Sequence, residues 1–183
     1  MSSGACARTE SSSWLAPGSG RGTLPRCAAT VHDGPPAGDV ILVDSSVWVE
    51  IFRRKSRLTL ASVGDIEEVV TCLPVVQEVL QGFRDERAFR VARDALFAFP
   101  IVESPLRAEL FEEAITLYRA ARRAGLTVRS GVDCLIAACA IRHGLPVAHL
   151  DRDFDAIAEV CSLRARNVSA YAWPVERMSH VDH

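Results

Sequence analysis

Four short apolar runs, each leading into a segment of helical period, constrain the fold of this chain more than any other feature. The first, Val40-Ile41-Leu42-Val43, is uninterrupted and rich in β-branched residues. Such a run marks a strand buried on both faces of a parallel sheet rather than a half-exposed antiparallel one. Val69-Val70-Thr71-Cys72, Pro100-Ile101-Val102 and Pro146-Val147-Ala148-His149 repeat the pattern. Between them stand helical stretches with recognisable ends. Ser45 and Ser46 can cap a helix through Val47, Trp48, Ile51 and Phe52, and Pro74 suits a first helical position in a segment that Gly82 closes. Residues 85–97 are helical in period. Residues 106–123 form a longer helix with Leu110, Phe111, Ala114, Leu117, Tyr118 and Ala121 on its buried side, and Gly125 stops it. Ser130 caps an unusually apolar helix from Val132 to Arg142. Strand and helix in alternation predict an α/β fold, a three-layer α/β/α sandwich with a central parallel sheet.

At 183 residues and 49% hydrophobic, the chain suits one domain with a substantial core and some extra length. The expected organisation is a disordered leader over 1–38, a domain over 39–168 and a C-terminal tail over 169–183. The leader is set apart by Ser11-Ser12-Ser13, Gly18-Ser19-Gly20 and Pro35-Pro36, with little periodicity. It lacks the apolar block of a secretory signal. No run is long and apolar enough to span a membrane, and a cytoplasmic location is expected. The net charge of −2 carries no global sign of nucleic-acid affinity, so any contact with phosphates must be local. The six cysteines include no C-x-x-C pair, and Cys72, Cys134 and Cys139 fall in apolar segments where free thiols pack as small hydrophobes.

Chemistry points to the acids. Ligands of such sheets bind outside the carboxyl ends of the strands, and Asp44 and Asp151 stand just past the first and fourth apolar runs. Glu78 and Asp133 lie on the helices that follow Pro74 and Ser130. Each has a plain alternative. Asp44 can cap the first helix, Ser130-Gly131-Val132-Asp133 satisfies a capping box, Asp151 or Asp153 can cap the next helix, and Glu78 can be a solvated helix residue. Four independent caps need not face one pocket, however. Carboxylates that do meet repel one another unless a hard divalent ion, Mg²⁺ above all, joins them.

The blocks Ile41-Leu42-Val43-Asp44-Ser45-Ser46-Val47-Trp48, Pro74 through Gly82, Val128 through Ala138, and His149-Leu150-Asp151-Arg152-Asp153-Phe154-Asp155, in that order, resemble the PIN-domain ribonucleases, in particular the VapC-type toxins of bacterial toxin–antitoxin pairs. The resemblance spans roughly Val40 to Val168. It implies a metal-dependent endoribonuclease, a toxin that hydrolyses phosphodiester bonds of RNA, often tRNA or rRNA. It assigns Asp44, Glu78, Asp133 and Asp151 to a catalytic pocket for Mg²⁺ or Mn²⁺, with Asp153 a second candidate for the fourth place. Ser45 would hold a water or a phosphate oxygen, and Arg129 would contact a phosphate or serve as a surface residue. A VapB-like, DNA-binding antitoxin and a homodimer are the implied partners. His149 is expected to pack or support rather than act as a base. The basic groups Arg53 to Arg57 and Arg119, Arg122 and Arg123 would capture RNA or merely stabilise helix C-termini. Two other readings compete: a binding module of the same fold acting mainly in an antitoxin–DNA complex, and another Mg²⁺-dependent α/β phosphohydrolase. One aspartate-dependent class of the latter expects a second aspartate where Ser46 stands.

Overall fold

A computed structural model describes residues 40–53 and 55–172. The expected leader, and the expected tail beyond residue 172, lie outside the described residues. Five strands, β1 (Ile41–Val43), β2 (Val69–Cys72), β3 (Ile101–Val102), β4 (Pro146–His149) and β5 (Arg164–Asn167), form one parallel sheet in the order β3-β2-β1-β4-β5. β1 lies at its centre, with Leu42 opposite Val70 on one side and Val147 on the other. All three β1 residues are buried, as the β-branched run predicts.

The helices are α1 (Ser45–Ile51), α2 (Leu60–Val63), α3 (Leu73–Gln81), α4 (Glu86–Phe97), α5 (Ala108–Arg123), α6 (Gly131–Arg142), α7 (Asp153–Ala158) and α8 (Ser169–Ala172). α3 packs on both α1 and α4, while α5, α6 and α7 pack on one another. Sheet growth runs from β1 toward β3 and then, from β4, in the opposite direction. Right-handed crossovers therefore put these two helix groups on opposite faces, which is the three-layer α/β/α sandwich. α6 is buried through Cys134, Ile136, Ala137, Ala138, Cys139 and Ala140. An apolar surface on every side suits a helix enclosed between sheet and α5, and its small side chains let both neighbours approach. Trp48 of α1 is buried against Phe52 and Phe99. The four described cysteines are free, and Cys72, Cys134 and Cys139 are core residues.

Several local expectations are corrected. Of the caps expected for α1, Asp44 holds the place and Ser45 and Ser46 do not: its backbone is extended and its carboxylate accepts the Ser46 N–H. Pro74 is the second residue of its helix, and α5 begins at Ala108 rather than 106. Phe111 is 45% exposed because the buried stripe of α5 follows Leu110, Ala114 and Ala121, which leaves Phe111 about 100° around the helix from Leu110. β5 carries no apolar run. It is an edge strand, and its arginines both blunt that edge and hide it from any hydrophobic pattern. α8 carries Ala172, which is buried against the core. Among the described residues no helix is long and apolar enough to cross a membrane.

Candidate metal centre

Sheet order reverses between β1 and β4, and a crevice opens where their carboxyl ends diverge. Asp44 stands at that point. Its N–H donates to the Ala148 carbonyl at 2.9 Å, extending the β1–β4 ladder by one residue and fixing the backbone from which the side chain projects. The carboxylate is almost wholly buried. Oδ2 accepts the Ser46 N–H at 2.9 Å and the Ser46 hydroxyl, and Ser46 Oγ in turn accepts the Leu150 N–H at 3.0 Å. One serine thus ties the acid at the end of β1 to the chain leaving β4.

Ser45 looks the other way. Its hydroxyl donates to Glu78 Oε2 at 2.8 Å and lies 3.4 Å from Asp44 Oδ1. Glu78, on the middle of α3, is thereby drawn to Asp44 and remains half-buried. Asp133 is the third residue of α6, whose Ser130 cap accepts the Val132 and Asp133 N–H groups. A closed capping box would return the Asp133 carboxylate to the Ser130 N–H. That bond is not formed. The carboxylate instead converges with Asp44 and Glu78, and one ligand oxygen from each lies within 4.8 Å of the others.

Electrostatics give this convergence a cost. Burial raises the Asp133 carboxyl to about 7, and the charges of Asp44, Glu78, Asp151 and Asp153 push in the same direction. Burial also raises Asp44, against the hydrogen bonds from Ser46 and Ser45. Glu78 is raised chiefly by burial, with Asp44 and Asp151 adding to it and the Ser45 hydroxyl opposing. Three acids that resist ionisation together, with oxygen donors only and no thiol or imidazole among them, fit a hard divalent cation.

Asp151 and Asp153 stand outside this trio and share a cation of their own. Arg129 donates its backbone N–H to Asp153 Oδ2 at 2.6 Å, its Nε to Asp153 Oδ1 at 3.1 Å and its Nη2 to Asp151 Oδ1 at 2.6 Å. Asp153 is buried beneath the guanidinium, whereas Asp151 is partly open to solvent. The charge of Asp151 bears on both Glu78 and Asp133; that of Asp153 bears on Asp133 and not on Glu78. His149 is fully buried below them. Its Nδ1 donates to the Asp151 carbonyl at 2.7 Å and its ring lies against Phe154, so it braces the turn after β4. Of the basic groups, Arg53 pairs with Glu50 just past the end of α1, and Arg122 lies over the Tyr118 ring in the last turn of α5.

Ser46 is the participant that sequence reasoning passed over as a helix cap. Its signal was present as a second hydroxyl directly after Asp44-Ser45. Only the helical phase separates a serine facing Glu78 from one facing back to β4.

Comparison with known proteins identifies the family. The PIN domain family matches residues 41–160. The chain is 39% identical over 131 residues to Ribonuclease VapC11 of Mycobacterium tuberculosis and equally to VapC ribonuclease Mb1587 of Mycobacterium bovis, covering 69% of this chain and 97% of each relative. The DNA-bound VapBC structure from Salmonella typhimurium superposes with a TM-score of 0.58 at 13% identity, over 71% of this chain and 98% of that one, a likeness of fold.

Proposed function

The chain belongs to the PIN-domain family, and from that premise we propose that it is the toxin of a toxin–antitoxin pair, a cytoplasmic endoribonuclease that hydrolyses tRNA or rRNA with Mg²⁺ or Mn²⁺. The observation that carries this reading is the convergence of Asp44, Glu78 and Asp133 over the carboxyl ends of the strands. Asp44 and Asp133 are the direct ligands and Glu78 the third. Asp151 completes the acidic face, and Asp153 orients Arg129. A bound divalent ion would make hydroxide accessible near neutral pH and neutralise charge on the phosphoryl oxygens.

The protein's own groups do the rest. Ser46 holds Asp44 against the end of β4 and so sets the distance between the two halves of the crevice. Ser45 fixes Glu78 Oε2 and leaves Oε1 as the oxygen that would face the ion. Arg129 offsets Asp151 and Asp153, without which five carboxylates would repel a polyanion. A VapB-like antitoxin and a second copy of the chain are its partners.

Cleavage of total bacterial RNA tests this function in Mg²⁺ or Mn²⁺, with and without EDTA. Cleavage must require the metal, and Asp44→Asn and Asp133→Asn must abolish it. Variants that cut RNA as fast as the parent would overturn the assignment.

A further inference from the structure

Beside the three acids opens a second concavity, a cleft of about 310 Å³ lined by Ser46, Arg129, Leu150, Asp151 and Arg152. Its size lies near the lower end for ligand sites, about 300 to 1,000 Å³, room for a single nucleotide. Its chemistry differs from that of the acidic cluster, because two guanidinium groups line it beside Asp151. Arg129 is held rigidly, because Nε and Nη2 are occupied by Asp153 and Asp151. Its Nη1 makes no hydrogen bond among the described residues, and more than half of the side chain is exposed. A guanidinium fixed on one edge and open on the other is a pre-oriented donor for a phosphate. Arg152 brings a second guanidinium, exposed and without an ion pair among the described residues. Leu150 supplies an apolar wall. Ser46 Oγ is already committed to Asp44 and Leu150 and so closes the cleft without binding anything itself.

Ser46 stands between the two concavities: it lines the cleft while its hydroxyl bonds Asp44 of the acidic trio. A strand seated in the cleft therefore runs next to the acids. We infer that this cleft is the subsite for the nucleotide adjacent to the scissile phosphate, with Arg129 and Arg152 on its phosphate and Leu150 against its base. The inference rests on the ribonuclease reading and adds to it a determinant of strand placement that lies outside the acidic residues. A single-stranded substrate suits it, since a base can reach Leu150 and a guanidinium face only when unpaired.

The test uses Arg152→Gln in the full chain, read by cleavage kinetics, Mn²⁺ affinity, RNA binding, antitoxin binding and melting temperature. In cleavage of total tRNA with Mn²⁺, KM rises about five- to tenfold, the effect falls on KM rather than kcat, and the slope of log KM against log salt decreases by about 0.7, the share of one phosphate contact on a single strand. Mn²⁺ affinity measured calorimetrically without RNA equals that of the parent. Binding of a fluorescein-labelled, mixed-sequence single-stranded RNA in EDTA weakens about tenfold. That last measurement needs no catalysis. If the parent cuts nothing, the ribonuclease reading fails, yet the RNA-binding loss still decides the cleft. An unchanged KM, salt slope and RNA affinity would overturn the subsite. So would a variant that binds RNA normally but loses affinity for its antitoxin, which would make the cleft a protein-docking surface. A parallel fall in Mn²⁺ affinity and melting temperature would reduce Arg152 to a structural role and overturn it as well.

Discussion

Replacing Asp133 by Asn should make the metal-free protein more stable while abolishing its response to metal. The Asp133 carboxyl is buried and faces Asp44 and Glu78, and it titrates at about 7 in place of 3.8. Above 3.8 the unfolded chain has released this proton, whereas the folded protein keeps it until about 7. Stability of the metal-free parent is therefore eroded as pH rises through that window. At 1.36 kcal/mol per pH unit the erosion totals about 4 kcal/mol. Asp44 and Glu78 can take up the proton in its place, so the relief expected from Asp133→Asn is about half of that, ~2 kcal/mol. In a chain of this size ~2 kcal/mol raises the melting temperature by about 4 to 8 °C. The assay is a thermal melt of parent and variant in EDTA from pH 4 to pH 8.5, repeated with Mn²⁺. In EDTA the two curves should coincide near pH 4 and diverge in favour of the variant above pH 7. With Mn²⁺ the parent should gain and the variant should not. A variant less stable than the parent at pH 8 in EDTA, or one stabilised equally by Mn²⁺, would refute the reasoning.

The same proton links metal binding to pH. Calorimetric Mg²⁺ affinity of the parent should climb by about a decade per pH unit below pH 7 and flatten above it, since the ion must displace the Asp133 proton. Ser46→Ala removes the hydroxyl that bridges Asp44 and the Leu150 N–H. It should cost about 1 to 3 kcal/mol in urea unfolding and lower Mg²⁺ affinity about 10- to 100-fold, whereas equal metal affinity would show that Asp44 needs no such brace. Gly125 ends α5 with φ +78° in open space. Gly125→Ala should therefore destabilise by about 1 kcal/mol through backbone strain alone, without change in RNA cleavage.

The sequence showed most where one chemical pattern runs through contiguous residues. β1, β2 and β4 are legible because a strand covered on both faces must be apolar throughout, and α6 because a buried helix must be apolar all round. β5 was not, since an edge strand owes its place to hydrogen bonds with β4, which any side chain permits. Phe111 misled because a 3.6-residue stripe drawn from composition can be rotated by one residue without losing its hydrophobic content.

At the site, the identity and order of the acids were readable, but the choice between capping and ligation was not. Asp44 does both: one carboxylate oxygen accepts the first-turn N–H while the side chain still faces Glu78 and Asp133. Asp133 has the spacing of a capping box and leaves it unclosed. Asp151 and Asp153 looked like rivals for one place, and only the packing of Arg129, more than twenty residues earlier, gives them a common partner and distinct surroundings. What the sequence by itself determined was local: which segments are buried on both faces, where they end, and which acids stand at those ends, because burial and backbone periodicity act on neighbouring residues. What the tertiary structure decided was which oxygens meet, which guanidinium offsets them and which hydroxyl braces them, because distances between residues far apart in the chain depend on how β1, α3, α6 and the end of β4 are packed together.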